Sequence, residues 1–343
     1  MKKRIRYVGY SPDLSHPADR RRIALLGDSE DFEIVSPTSI NFECTLLTPN
    51  ANLMWYLKNK QGKPVYLDIV DGYLGTVRNP LEDLARNILR SYQKMSSLGS
   101  ITYTNHLKRC IRQVDGCVVA SVEQLSSIRH LNQNISVISD CHAELSRITY
   151  NPEKRGILWQ GFGSNLKHLL HIAPELDLVI RKSDLSLFVM TERSYKKFGN
   201  LVYNQETMKL LRRKFPKSFE RVEFVDWSIP NFTKTAEKSG LGIIPITPDD
   251  RFAQMKAENK LLEFFSVGLP VLTSETPAYQ RVFDEVGHGD NCVSGGKWGE
   301  RIEAVMSDSS KRVKMQMAGS DYIRSFHQKQ SKVEKWRRVF EER

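Results

Sequence analysis

Long apolar runs are missing from this chain. Nothing approaches the roughly 18–20 consecutive apolar residues that span a bilayer, so no membrane-spanning helix is expected. Cysteine is sparse: five residues, at 44, 110, 117, 141 and 292, with no C-x-x-C pair. That spacing argues against a zinc ribbon or a disulfide framework and for a reducing, cytoplasmic setting. No His, Cys and acidic residues gather at metal-ligand spacing; DIVD, from Asp68 to Asp71, is the nearest approach, and no metal is expected. The G-F-G-S-N-L run from Gly161 lacks the third glycine of a dinucleotide fingerprint, and the first strand leads into no glycine turn, which counts against an NAD enzyme. Helix-turn-helix, zinc-finger and aromatic-interleaved RNA motifs are absent, as are repeats and low-complexity tracts. The start, MKKRIRYVGY, is basic but has no apolar run of the kind a secretory signal needs, and is expected to be a first buried strand.

What is present is a chain of 343 residues, a length that suits two domains. Its 51 Lys and Arg outnumber 40 Asp and Glu, for a net charge of +11. Such a balance suits nucleic acid, an anionic membrane face, an anionic substrate or simply a basic soluble surface. The cations are spread in small clusters: Arg20-Arg21-Arg22, Lys108-Arg109 with Arg112, Lys196-Lys197, Arg212-Arg213-Lys214 and Arg337-Arg338.

Strands and helices alternate along the chain. RIRYVG (4–9) reads as a strand, followed by the loop YSPDLSHPAD and a helix from about Ala18. FEIVSPT (32–38) is a strand, 52–60 a brief helix, and PVYLDIVDGYL (64–74) a buried strand ending in Asp68 and Asp71. An amphipathic helix over 79–95 precedes strands at SITYTN (100–105), GCVVAS (116–121) and ISVIS (135–139), which close a first doubly wound domain. Residues 142–156 are polar and aperiodic and read as a linker. A second series follows: a strand over 157–160, a turn with Gly161 and Gly163, a helix, the strand LSLFVMT (185–191), a basic helix NQETMKLLRRKF, the strand RVEFVDWS (221–228), and a helix and short strand ending at Pro245. The tail from Lys311 is helical and charged, with Tyr322, Phe326, Trp336 and Phe340 as apolar anchors.

In open αβ sheets ligands bind beyond the carboxyl ends of the strands. That places Asp13, His16, Asp19 and Arg20 where chemistry can occur, the alternative for each being a solvated loop residue. Asp71 is a site candidate or a turn acid. Glycines at 161 and 163, before a helix, let backbone N–H groups approach a phosphate.

The stretch KAENKLLEFFSVGLPVLTS (256–274) organises the chain. Leu261, Leu262 and Phe265 share a helical face. Gly268 suits a left-handed helix end, Pro270 forbids resumption, and Val271, Leu272 and Thr273 follow as a buried strand. Glu263 stands in the middle of an otherwise apolar helix.

This run resembles the donor-nucleotide motif of GT-B glycosyltransferases, family 4 above all, in which the second Glu of an E-x7-E pair precedes G-x-P-V-V. Glu263 matches that Glu, which in the family grips the ribose hydroxyls. The first Glu falls on Met255. The family's G-R…K motif at the first turn of the second domain is matched by Lys167, with Phe162 at the Arg position; Arg251 or Lys256 is then a replacement cation. A segment like Y-D-x-x-D-D in several GT-B first domains raises Asp71.

The resemblance implies two Rossmann-like αβ domains facing a cleft: residues 1–141 for the acceptor, a linker over 142–156, 157–325 for the nucleotide sugar, and a terminal helix over 326–343 crossing back to the first domain. It implies a glycosyltransferase moving a sugar from a UDP- or GDP-sugar to a glycan, glycolipid or cell-surface polymer, without a metal or other cofactor. Donor-site residues would be Glu263, Lys260, Asn259, Gly161, Gly163, Ser164, Trp227 (stacking on a base or simply packing) and Ser228. Lys167, His16 and Asp71 would be catalytic, and Asp13 and Arg20 acceptor-binding. In a retaining enzyme the leaving phosphate takes the acceptor proton; in an inverting one His16 or Asp71 is the base. The partners implied are the nucleotide sugar, a glycan or lipid-linked acceptor and an anionic membrane surface at the inner face, not nucleic acid. A GT-B sugar-nucleotide epimerase and a non-catalytic polyanion-binding protein remain as alternatives.

Overall fold

The computed structural model describes residues 2–74, 80–93, 100–197 and 202–341. The chain divides into two units. Unit 1 contains residues 1–141, 255–257 and 327–343, and unit 2 contains 142–254 and 258–326.

Unit 1 is built on six parallel strands: β1 (Lys3–Val8), β2 (Phe32–Val35), β3 (Cys44–Leu47), β4 (Val65–Ile69), β5 (Gly116–Val119) and β6 (Ile135–Val137), in the order β2-β1-β3-β4-β5-β6. Strands β3, β4 and β5 are buried along their whole length, as strands covered on both faces must be. The apolar core joins Ile5, Tyr7, Leu46, Tyr66 and Val118 to Trp336 and Phe340 of the Lys329–Glu341 helix. Trp336 stacks on Phe340 at 5.6 Å, so these two aromatic anchors of the tail are core residues of unit 1, whereas Tyr322 packs in the core of unit 2 and Phe326 is exposed.

Unit 2 repeats the plan with β7 (Gly156–Gln160), β8 (Ser186–Thr191), β11 (Val222–Asp226), β12 (Ser239–Ile244), β13 (Val271–Ser274) and β14 (Cys292–Val293), in the order β11-β8-β7-β12-β13-β14, all parallel. A separate antiparallel hairpin joins β9 (Ser194–Lys197) and β10 (Val202–Glu206). The central strand β7 has its neighbours on opposite sides reached by opposite crossovers, and ligands of such sheets gather at this switch point. Residues 142–156 belong to unit 2 and are tied to it, the Ile148 N–H bonding the Val267 carbonyl and the Tyr150 hydroxyl the Gly240 carbonyl.

The Asn259–Val267 helix ends as its sequence demands. Gly268 takes φ 81°, a left-handed conformation costly for a side chain bearing Cβ, and Pro270 leads into β13. Two of the expected elements need correction, one strand was not expected, and the reading of one charge cluster changes. SITYTN forms no strand: Thr102 caps the Tyr103–Ile111 helix, its hydroxyl taking the Asn105 N–H. Strand β3 stands in a segment that carried no expectation. The first residues of NQETMKLLRRKF form β10, and the helix begins at Thr207. The helix expected over 79–95 is Pro80–Tyr92, positions 79, 94 and 95 lying outside the described residues. The Arg-rich first helix, Pro17–Arg22, is not a basic surface, because Arg21 and Arg22 are buried and Arg22 holds Asp68 at 2.6 Å and Asp140 at 3.3 Å.

Candidate functional site

Strand β7 ends at Gln160, the one polar side chain in GILWQ, and it is 5% exposed. Its side-chain amide donates to Glu263 on the neighbouring helix, and its carbonyl accepts from Lys260 Nζ at 3.2 Å. Glu263 is itself buried, so the carboxylate that the sequence leaves in an apolar helix has a polar neighbour, as a buried charge requires. Lys260 lies over Gly161: a Cβ added there would meet its Nζ at 2.8 Å. Asn259 sits one residue ahead on the same helix, and its buried Oδ1 has no hydrogen-bond partner among the described residues.

Past Gly161 the chain makes a single 3-10 turn, Gly163–Asn165, and enters the Leu166–His171 helix. Gly163 is needed for space: a Cβ would meet the Tyr195 ring at 2.5 Å. Its N–H donates to the Glu192 carboxylate at the end of β8, so a side-chain anion is seated where the glycine turn offers a backbone donor. Ser164 is exposed on the same turn, and Phe162 is 56% exposed.

Lys167 reaches away from this turn to Asp250, 2.5 Å distant. Burial would raise the Asp250 carboxyl, but the bonds from Lys167 and the Ala253 N–H, with the charges of Lys167 and His168, outweigh it and hold it below the usual range. Buried His168 fastens the same loop: its Nδ1 accepts the Thr247 N–H at 3.2 Å and lies 3.0 Å from the Thr247 hydroxyl, while Nε2 faces Asp250 at 3.7 Å. Lys167, His171, Thr247, Pro248, Asp249, Asp250 and Arg251 line a cavity of about 750 Å³. Arg251, exposed at the start of the Arg251–Gln254 helix, brings a second cation to it. His171 and Pro248 also border a smaller cavity of about 220 Å³ reaching Ser274, Ser294 and Gly295.

Two of the expected donor-site residues stand beyond β11. Trp227 is 37% exposed. Ser228 caps the Ile229–Ala236 helix, accepting the Asn231 N–H at 3.1 Å, so its hydroxyl has a structural task.

In unit 1 the loop after β1 is organised by Asp19. Fully buried, it accepts from the Tyr7 hydroxyl at 2.5 Å, the Tyr10 N–H at 3.0 Å, the Ser11 N–H at 2.9 Å and the Ser11 hydroxyl at 3.2 Å. His16 caps the next helix, its Nδ1 accepting the Ala18 N–H at 3.2 Å, and its ring stacks on Tyr10 at 4.9 Å. Burial lowers the His16 pKa, with Asp19 and Asp71 opposing and Arg21 and Arg20 assisting. Asp71, just past β4, is thus within electrostatic reach of His16, and it acts on Tyr10 as well. The buried Tyr10 hydroxyl has no hydrogen-bond partner among the described residues. Asp13 is exposed and engaged locally, held below the usual carboxylate range by Ser15. Arg20 is half-buried on the helix that His16 caps.

The structure therefore gathers Glu263, Lys260, Asn259, Gly161, Gly163 and Ser164 around the end of β7, and Lys167 with Asp250 at the adjoining cavity. His16 and Asp71 lie within electrostatic reach of each other in unit 1. Gln160, Glu192, His168 and Asp250 were not singled out from the sequence. Only Gln160 carried a signal, as the polar end of an apolar strand. Among the described residues no group of three His, Cys, Asp or Glu side chains is placed to hold a metal.

No family model and no curated protein sequence matches the chain. Solved structures do. Sucrose-phosphate synthase from Thermosynechococcus elongatus matches with a TM-score of 0.64 at 10% identity, over 99% of each chain. TarM matches with a TM-score of 0.63 at 13% identity, over 93% of this chain and 56% of its own. The pneumococcal O-GlcNAc transferase GtfA, in complex with UDP and GlcNAc, matches with a TM-score of 0.54 at 11% identity, over 87% of this chain and 56% of its own. The chain thus spans about half the length of TarM and GtfA and the whole of the synthase. At these identities the likeness shows the fold, two Rossmann-like domains of the GT-B type.

Proposed function

We propose that this chain is a nucleotide-sugar-dependent glycosyltransferase whose donor site is the end of β7 in unit 2. The observation that carries the reading is the convergence of Glu263, Lys260 and the Gly161–Gly163 turn at the switch point of a parallel sheet. A carboxylate is acceptor-only and can take both hydroxyls of a ribose, while a lysine and a glycine turn suit a diphosphate. The GtfA structure holds UDP and GlcNAc, which favours a UDP-sugar, with a GDP-sugar next.

Lys167 neutralises the leaving diphosphate in this reading, and Arg251, across the same cavity, supplies the second cation that Phe162 does not. Asp250 releases Lys167 to the incoming phosphate and becomes free to accept hydroxyls of the donor sugar, a task for which Met255 has only a weakly accepting thioether sulfur. Trp227 stacks on the base, and Asn259 and Ser164 complete the polar lining.

The acceptor, a glycan, glycolipid or cell-surface polymer, is held by unit 1 through Asp13, Arg20, His16 and Asp71. With Nδ1 accepting a backbone N–H, the neutral His16 ring carries its proton on Nε2 and offers a donor to an acceptor hydroxyl. Proton removal then falls to Asp71 or to the leaving phosphate. Catalysis rests on orientation and fixed positive charge rather than on a metal, so full turnover in EDTA is expected.

A thermal-shift screen against UDP-, GDP-, ADP- and CMP-sugars tests the reading. A ligand that binds only the native state raises its melting temperature, by about 2.7 kcal/mol of stabilisation at a hundredfold excess over Kd. A UDP- or GDP-sugar should do so, with free UDP or GDP smaller in effect. Silence across the panel would remove the assignment. Release of free nucleotide and an epimerised sugar, without an acceptor, would point to the epimerase alternative instead.

A further inference from the structure

The smaller cavity of unit 2 differs in chemistry from the larger one it adjoins. It lies beyond the carboxyl ends of β12, β13 and β14, at the edge of the sheet where ligands of such folds bind. Its buried lining is apolar, from Ile172, Val293 and Trp298. Ser274 is buried there too, but its hydroxyl is engaged within the sheet, accepting the Ile246 N–H at 2.8 Å and donating to the Ile246 carbonyl at 3.1 Å. Gly295 and Gly296, at φ 62° and 70°, are two successive left-handed residues, and they turn the chain from β14 into the Trp298–Ser307 helix. The volume of about 220 Å³ exceeds the ~150 Å³ that takes a benzene ring, so there is room for part of a sugar.

The fixed charges of this cavity are acidic. Glu175, in the first turn of the Ala173–Lys182 helix, accepts the Gly299 N–H at 2.9 Å through one oxygen. It therefore stands at the N-terminal turns of two helices, whose dipoles favour its ionised form. Its other oxygen has no partner among the described residues. Glu275, just past β13, is exposed and makes no hydrogen bond or ion pair among the described residues. Among the described residues no lysine or arginine lines this cavity, whereas Lys167 and Arg251 both line the larger one. The two cavities share His171 and Pro248 as lining, which lets one ligand occupy both. A ligand that suits the pair has an anionic part for the larger cavity and an uncharged part for the smaller. Hydroxyl or amide N–H donors satisfy the carboxylates and C–H groups suit the apolar lining, while a carboxylate would meet like charge without a counter-ion.

We infer that the smaller cavity receives the far edge of the donor sugar and selects a sugar that is uncharged there, with Glu275 and Glu175 excluding hexuronates. The inference rests on the donor-site reading, in which Lys167 and Arg251 hold the diphosphate. The test is calorimetric titration of the full chain with UDP, UDP-glucose and UDP-glucuronate, whose sugars differ only in a hydroxymethyl against a carboxylate. GDP, GDP-mannose and GDP-mannuronate take their place if the nucleotide screen favours guanine. The wild type should prefer the neutral sugar by at least roughly tenfold, the scale for like charges a few ångströms apart near a surface. Glu275→Lys should cut that preference by at least roughly tenfold and leave the free nucleotide within about twofold of wild type, since Glu275 is exposed. Ser294→Tyr, at an exposed lining position, should remove the advantage of the neutral sugar nucleotide over the free nucleotide. Should Glu275→Lys fail to melt like the wild type, Glu275→Gln replaces it, with a loss of roughly threefold in the preference. Equal affinity for the neutral and acidic sugars in the wild type, or an unchanged preference in the Glu275 variant, would overturn the inference and leave the donor site standing. So would a Ser294→Tyr protein that binds the neutral sugar nucleotide as the wild type does. Failure of both UDP and GDP to bind would remove the donor-site reading, and the inference with it.

Discussion

The loops that follow the first strand of each unit solve one problem in two ways. After β1, backbone N–H groups of Tyr10 and Ser11 converge on Asp19, a fully buried carboxylate that also takes two hydroxyls. After β7, the Gly163 N–H meets the exposed Glu192, and Lys167, 58% exposed, meets Asp250. In both places the chain satisfies a phosphate-sized set of donors with its own acid. The difference is burial. Asp19 has four protein donors and no contact with water, so nothing outside can replace it. Glu192, exposed, accepts from the Gly163 N–H and the Thr191 hydroxyl, and Asp250, partly exposed, from Lys167 and the Ala253 N–H; on the proposed reading a diphosphate of higher charge takes their place at Gly163 and Lys167. On the proposed reading, a self-filled loop is structural when its anion is buried and a ligand site when its anion reaches solvent.

The largest effect expected from this contrast is on stability. Asp19→Ala should leave the Tyr7 hydroxyl and two backbone N–H groups without their acceptor, and lower stability by about 3 kcal/mol or more in a denaturant melt. A change below about 1 kcal/mol would mean that water enters the loop and that burial is the wrong criterion.

The matched change in unit 2 should move binding instead. Lys167→Ala should melt within about 1 kcal/mol of wild type, since the pair it breaks is largely solvent-facing. Its affinity for UDP, read by calorimetry, should fall by roughly 1.5–3 kcal/mol, the scale of a charged hydrogen bond. Asp250→Asn should have the opposite sign for UDP, because it releases Lys167.

The smallest effect concerns pH. The His16 pKa in the folded chain lies below its ordinary 6.5, chiefly through burial. As pH falls below that value the unfolded chain takes up the proton first, so stability declines until the folded ring is also protonated. His16→Asn keeps a capping side chain and removes the titration. Its stability should therefore be flatter in acid than wild type by a fraction of 1 kcal/mol per pH unit.

Elements that announce themselves locally were legible in the sequence, and those decided by distant packing were not. The helix, Gly268, Pro270 and strand of the central stretch follow from backbone rules, and the structure has them. SITYTN is rich in β-formers, yet Thr102 serves better as a cap once Tyr103 is buried. Strand β3 is four residues without alternation, which periodicity cannot separate from loop. Within the site, Glu263 stood out as the acid of an otherwise apolar helix, the glycine turn by its place between a strand and a helix, and Lys260 through the family resemblance. Their partners did not: Gln160 lies 103 residues from Glu263, and Glu192 lies 29 from Gly163, brought in by sheet order alone. The Arg20-Arg21-Arg22 run shows the converse, a charge cluster that reads as surface and in fact supplies a buried bridge.

The central claim is that the carboxylate of Glu263 waits for a ribose. The direct measurement is calorimetric titration of Glu263→Gln with UDP, or with GDP if the screen favours it, beside a melt of the unliganded protein. The Gln oxygen can still accept from Gln160, so the melt should stay near that of wild type. Affinity for the nucleotide should weaken by roughly 1.5–3 kcal/mol. A lowered melt with wild-type affinity would contradict the account and make Glu263 a structural partner of Gln160.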